Sequence, residues 1–139
     1  MIRKLSNRTR GFYALLGPFL SRRQVVAELG APVWDDDGAV WYADVLDGVV
    51  RGFCVSVAQS THVVHRSAYV VPQYRGSGVY RDLFLARLAD AGEREIRAVV
   101  RPNVLGLFLE HGFEEVGRRG QFNRLRRRGQ FNRLRRPAS

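Results

Sequence analysis

The run Tyr69-Val70-Val71-Pro72-Gln73-Tyr74-Arg75-Gly76-Ser77-Gly78-Val79 is where residue types and spacing in this chain could do chemistry. A valine-rich strand stops at Pro72, a turn with two glycines follows, and helix-forming sequence starts at Val79. Such a junction aims several main-chain N–H groups at one point, and the helix N-terminus adds about half a positive charge there. The combination suits a phosphate or pyrophosphate. Gly76 and Gly78 let the main chain approach that ligand without a Cβ in between. Two phosphate motifs are excluded. A nucleoside-triphosphate loop needs a lysine after its glycines, and the sole lysine is Lys4. A dinucleotide loop needs a third glycine where Arg81 stands, and it normally opens its domain.

Other reactive side chains read more plainly. Asp35-Asp36-Asp37-Gly38 is a solvated turn, because a calcium loop needs further ligands at set spacings, so no metal site is expected. Cys54 sits on the small-residue side of a strand and reads as a buried small residue. His62 and His65 are three apart and point to opposite faces of a strand, so they cannot form a metal pair. Tyr69 shares the face of His65 by the same counting. His111, late in a helix, suits the C-terminal dipole.

These residues need elements to hold them. A first strand is expected over residues 2–5. A helix capped by Thr9 runs to about residue 16, where Pro18 forbids continuation. Ser21-Arg22-Arg23-Gln24 is a capping-box pattern for a second helix ending at Leu29, with Gly30 beyond it. Strands over residues 40–46 and 49–58 flank Asp47-Gly48, a hairpin signal. A strand over 62–71 precedes the glycine turn, and a helix over 79–91 follows it. Residues 96–100 form a buried strand. Asn103 caps a further helix that ends at Gly112, and residues 113–116 are strand-like.

At 139 residues the chain reads as one domain. No apolar run reaches the roughly 18 residues of a spanning helix, so no membrane partner is expected. Residues 1–10 lack a secretory pattern and there is one cysteine, which suits a cytoplasmic setting. The net charge is +10, and nine arginines between Arg118 and Arg136 supply almost all of it. Residues 119–127 recur unchanged as 128–136. One copy, Gln121–Leu125 or Gln130–Leu134, is expected to fill a terminal strand. The chain divides into a domain over 1–126 and a basic extension over 127–139. With Phe122 and Phe131 among its arginines, the segment Arg118–Arg136 is a candidate nucleic-acid contact.

The pattern Gln73-x-x-Gly76-x-Gly78, within Val70 to Gly78, resembles the signature of the GNAT superfamily of acyl-CoA N-acetyltransferases. Leu107-Phe108-Leu109-Glu110-His111-Gly112-Phe113 is similar to that family's helix ending in Gly-Phe, and the order of elements matches over residues 2–125. The resemblance implies an α/β fold with a mixed, mostly antiparallel sheet whose fourth and fifth strands splay. It implies acetyl-CoA as cofactor, its pyrophosphate on the amides of about Tyr74 to Val79 and its pantetheine arm along Tyr69 to Val71. The implied cofactor set is Val70, Val71, Gln73, Tyr74, Arg75, Gly76, Ser77, Gly78 and Val79, with Asn103 and Phe108. The acceptor would be an amine of unnamed class that attacks the thioester directly. Phe108 stands where the family often has a proton-donating tyrosine, which leaves Tyr80, Tyr69 or solvent to protonate the thiolate. His62 and His65 are candidate bases, His65 in company with Tyr69. Two other readings accompany this one. Phage Mom-type proteins resemble the same fold and modify adenine, which would use the arginine-rich segment to hold DNA. A degenerate fold would bind coenzyme A without turnover. The sequence leaves monomer or homodimer open.

Overall fold

A computed structural model describes residues 1–129. Its elements are β1 (Ile2–Leu5), α1 (Phe12–Leu20), α2 (Arg23–Leu29), β2 (Ala39–Leu46), β3 (Val49–Ala58), β4 (Val63–Val70), α3 (Val79–Ala91), β5 (Ile96–Val100), α4 (Leu105–Glu110), β6 (Glu114–Arg119) and β7 (Phe122–Arg127). The strands follow the order β1-β2-β3-β4-β5-β7-β6 in one sheet. The pairs β1–β2, β2–β3, β5–β7 and β6–β7 are antiparallel, and β4–β5 is parallel. This is the mixed, mostly antiparallel α/β sheet expected from sequence. Two compact units divide the chain: Met1–Val57 with Ser67–Asp90, and Ala58–Arg66 with the residues from Ala91 onward.

In the first unit, Asp47 and Gly48 adopt φ of 51° and 76° and close the β2–β3 hairpin as their sequence demands. On one side of these strands Phe12, Leu16, Phe19, Trp41, Phe53, Val55 and Tyr69 form a buried cluster. Burying an aliphatic or phenyl side chain of this size contributes about 1.5–3 kcal/mol. On the other side Tyr42, Cys54, Val70, Val79 and Leu83 form a second cluster, which seats α3.

Three boundary readings need correction. First, α1 continues through Pro18 to Leu20. A proline there removes only its own N–H from the ladder, and the extra turn brings Phe19 within 5.4 Å of Phe53. Second, Thr9 does not cap α1. Its hydroxyl accepts the Ser6 N–H instead, and Gly11, at φ 84°, stands at the N-cap. Third, the longer α1 takes Ser21 as its C-cap, so Arg22 opens α2 with no side-chain cap. Gly30 ends α2 in the left-handed region, its N–H on the Val26 carbonyl at 2.9 Å, as expected.

In the second unit β4 pairs with β5 over three positions, Val63–Ile96, Val64–Arg97 and His65–Ala98. The ladder ends there, two residues before Ser67, whose φ of 56° is rare for a residue with a side chain. That left-handed step interrupts the alternation of β4. Phe108 of α4 meets Phe113 edge-on at 5.0 Å. Asn103 lies in a 3-10 turn, and α4 starts from Val104 without a side-chain cap. Pro102 opens that tighter turn one step early, so the expected asparagine cap is absent. Gly112 ends the helix at φ 88°. His111 Nδ1 donates to the Leu107 carbonyl at 2.9 Å, which suits its place at the helix C-terminus.

The first repeat copy supplies β7. The alternative strand over 130–134, and with it Phe131, Arg133, Arg135 and Arg136, lies outside the described residues. Arg118, Arg119, Arg124, Arg126 and Arg127 belong to β6 and β7. Much of the positive charge is therefore built into the sheet. Among the described residues no helix is long and apolar enough to cross a membrane.

Candidate functional site

The junction between β4 and α3 lies wholly within the first unit. Pro72–Tyr74 forms one 3-10 turn, which ties the N–H groups of Tyr74 and Arg75 to the carbonyls of Val71 and Pro72 at 2.9 and 3.2 Å. The first rung of α3 runs from the Asp82 N–H to the Gly78 carbonyl at 3.0 Å. Between these two sets, the amides of Gly76, Ser77, Gly78 and Val79 have no main-chain partner among the described residues. Gly76 and Gly78 hold φ of 79° and 90°, and a Cβ built on either meets nothing within 4 Å. The result is a run of open donors at the N-terminus of a 13-residue helix. An anion with several acceptor oxygens fits it.

Neighbouring side chains brace this turn. Arg75 donates from Nε to the Val70 carbonyl at 3.0 Å and grips both Glu28 oxygens of α2 at 2.6 and 2.8 Å. Its guanidinium lies over the Tyr69 ring, 5.6 Å from the centroid. Ser77 donates its hydroxyl to the Tyr74 carbonyl. Arg51 of β3 accepts the Val71 N–H on its carbonyl at 2.8 Å, places its guanidinium 5.9 Å from the Tyr74 centroid, and holds buried Asp44 at 2.8 Å. The Met1 ammonium stands 4.0 Å from the same Asp44 oxygen, so this carboxylate has two cationic partners.

Gly52 is the residue the sequence reading missed. An added Cβ would stand 2.9 Å from the Tyr69 carbonyl oxygen, 3.1 Å from Val79 Cγ1 and 3.2 Å from Leu83 Cδ1. The first turn of α3 thus rests directly on the main chain of β3. A glycine inside an otherwise bulky strand is the signal that could have found it.

The expected site residues divide between the units. Tyr69, Val70, Val71, Gln73, Tyr74, Arg75, Gly76, Ser77, Gly78, Val79 and Tyr80 are gathered in the first. Gln73 is exposed on the turn, and Tyr69 is buried against Phe19 and Phe53. His65, Asn103 and Phe108 belong to the second. His65 and Phe108 are buried there, and Asn103 is exposed. Phe108 is core packing with no proton to give. Burial pushes the Cys54 thiol up, and its Sγ lies 3.7 Å from the Leu83 carbonyl, so it is poorly set up as a nucleophile.

Burial pushes the Tyr80 phenol up to about 12. Burial, together with a 2.7 Å hydrogen bond to Asp90, also raises Tyr42. Both phenols therefore keep their protons in the folded chain at a pH where an unfolded tyrosine ionises. Their contribution to stability is fully present below pH 10 and declines as pH rises from about 10 towards 12. In an alkaline titration, phenolate absorbance from these two residues is expected to appear only with loss of fold. Phenolate signal from both in a still-folded protein would contradict their burial.

No protein-family model matches the sequence, and no curated protein matches it. Solved structures do match by shape. Escherichia coli ElaA superposes with a TM-score of 0.72 at 16% identity, covering 91% of this chain and 98% of that one. An acetyltransferase of the GNAT family from Staphylococcus aureus Mu50 gives 0.64 at 14% identity, covering 91% and 98%. The PaiA N-acetyltransferase from Thermoplasma acidophilum, in complex with coenzyme A, gives 0.62 at 14% identity, covering 92% and 98%. Over nine-tenths of its length, then, this chain has the fold of the GNAT acetyltransferases.

Proposed function

We propose that this chain is an acyl-CoA-dependent N-acyltransferase, which moves an acetyl or related acyl group from coenzyme A to an amine. The observation that carries this reading is the row of unpartnered amides from Gly76 to Val79 at the head of α3. Those four N–H groups and the helix dipole hold a diphosphate, and the open space beside Gly76 and Gly78 admits it. The similarity to solved acetyltransferases, one of them bound to coenzyme A, points the same way. When bound, the acyl-CoA supplies a thioester carbonyl and a thiolate leaving group. Braced by Glu28 and Val70, Arg75 fixes the turn against α2, so the donors are preorganised. Tyr80 follows the free amides by one residue and is the first candidate to give the thiolate its proton. Tyr69, in the same unit, is the second donor candidate. The amine becomes an amide as a C–N bond replaces the C–S bond, and the amine's lost proton balances the one the thiolate gains.

The test pairs thermal shift with coenzyme A and free-thiol release from acetyl-CoA over a panel of amines, peptides and polynucleotides. Stabilisation by coenzyme A and amine-dependent thiol release are expected. Tyr80→Phe should lower kcat roughly tenfold or more and leave the KM for acetyl-CoA unchanged. Stabilisation without thiol release from any acceptor would favour the non-catalytic alternative. No stabilisation at all would remove the basis of the reading. No observation favours a reaction on adenine over this one.

A further inference from the structure

We propose that one face of the β5–β7–β6 sheet is a binding surface for single-stranded nucleic acid. This goes beyond the acyl-transfer reading and does not depend on it. In β5, Ile96, Ala98 and Val100 are buried, while Arg97 and Val99 are exposed. Residues directly opposite in an antiparallel ladder share a face. Arg97 stands opposite Arg126, Val99 opposite Arg124, and Phe122 opposite Arg119. The outward face therefore carries Arg97, Arg119, Arg124 and Arg126 around Phe122. Arg101, just past β5, places its guanidinium 5.5 Å from the Phe122 centroid.

Stability does not explain this arrangement. Like charges directly opposite across strands are destabilising. Glu95 answers Arg97 at 2.7 Å, and Glu114 is shared between Arg126 and Arg128 at 3.1 and 3.2 Å. No acid is paired with Arg119 or Arg124 among the described residues. The described part of the second unit carries ten arginines against five acids, a net +5. Arg124 and Arg126 alternate with buried residues at a two-residue repeat of about 6.8 Å. Arg124 is exposed and Arg126 half-buried on this row, and their spacing matches the repeating phosphates of a polynucleotide. A half-buried aromatic among the arginines gives an unstacked base a surface to lie on, which a paired duplex base cannot use. This surface holds a strand and implies no chemistry on its bases.

The experiment uses the full chain without coenzyme A and a fluorescent oligothymidylate of about 20 nucleotides, read by anisotropy over a salt series. Binding that weakens steeply with salt is expected. Arg119→Ala with Arg124→Ala should weaken it roughly tenfold at fixed salt and lower the log–log salt slope by about 1.4, two phosphate contacts' worth. Phe122→Leu should weaken it at least about fivefold and leave the slope unchanged. If the double variant lost its thermal transition, Arg119→Gln alone should lower the slope by about 0.7. Three results would overturn the proposal: no binding of the wild-type chain, equal binding of a duplex, or wild-type affinity in the face variants. A loss confined to Arg133→Ala, Arg135→Ala and Arg136→Ala would likewise assign binding elsewhere and sink it.

Discussion

Gly76→Val is expected to lower coenzyme A affinity at least about 100-fold while the chain still folds. Gly76 holds φ at 79°, a region that a β-branched residue enters only with strain of roughly 1–3 kcal/mol. Its built Cβ meets nothing within 4 Å, so no clash with the protein accompanies the change. The strain is relieved by turning the 76–78 peptides, and that turns their N–H groups away from the ligand. Each charge-assisted hydrogen bond to an anion is worth about 1.5–3 kcal/mol, so losing two passes the hundredfold mark. The change is read by calorimetric titration with coenzyme A, with the thermal midpoint followed alongside. Wild-type affinity in a folded Gly76→Val protein would separate the turn from any diphosphate.

The second large effect belongs to a residue without side chain or chemistry. Gly52→Val should lower the thermal midpoint by roughly 5–10 °C or more, and Gly52→Ala by less. The built Cβ is already 2.9 Å from the Tyr69 carbonyl oxygen, a main-chain atom that cannot swing aside. Overpacking of this kind costs about 1–3 kcal/mol, and each kcal/mol moves the midpoint of a chain this size by roughly 3–4 °C. Val79 and Leu83 would have to lift with the first turn of α3, so coenzyme A affinity should fall along with stability. A Gly52→Val protein that melts like the wild type would show that α3 does not rest on β3 as described.

Where local residues decide the outcome, the sequence could be read closely. α3 has the bounds expected from Pro72, the glycine turn and Gly92, and β5 those expected from its short apolar run. Asp47-Gly48 closes its hairpin because both residues tolerate positive φ. The glycine turn sits between strand and helix as its pattern implies, although its open amides begin at Gly76 because the 3-10 turn engages those of Tyr74 and Arg75.

What escaped is non-local. Nothing adjacent to Gly52 indicates that a helix almost 30 positions later will rest on it. Phe19 rewards an extra turn beyond Pro18 only because Phe53 is there to meet it. Asp44 and Arg51 look like ordinary hairpin charges until the burial of Asp44 and the Tyr74 ring are known. The arginines of β6 and β7 look like a tail until cross-strand register lines them up with Arg97. Neither Asn103 nor Thr9 forms its expected cap, because a proline in one case and Ser6 in the other sets a different turn.

The most direct measurement is an amide NMR titration with coenzyme A, compared with pantetheine, which lacks the diphosphate. Coenzyme A should shift the amide resonances of Gly76, Ser77, Gly78 and Val79 most strongly, and pantetheine should leave those four nearly unmoved. Saturable coenzyme A binding that bypasses these four amides, or shifts them no more than pantetheine does, would contradict a diphosphate cradle at the head of α3.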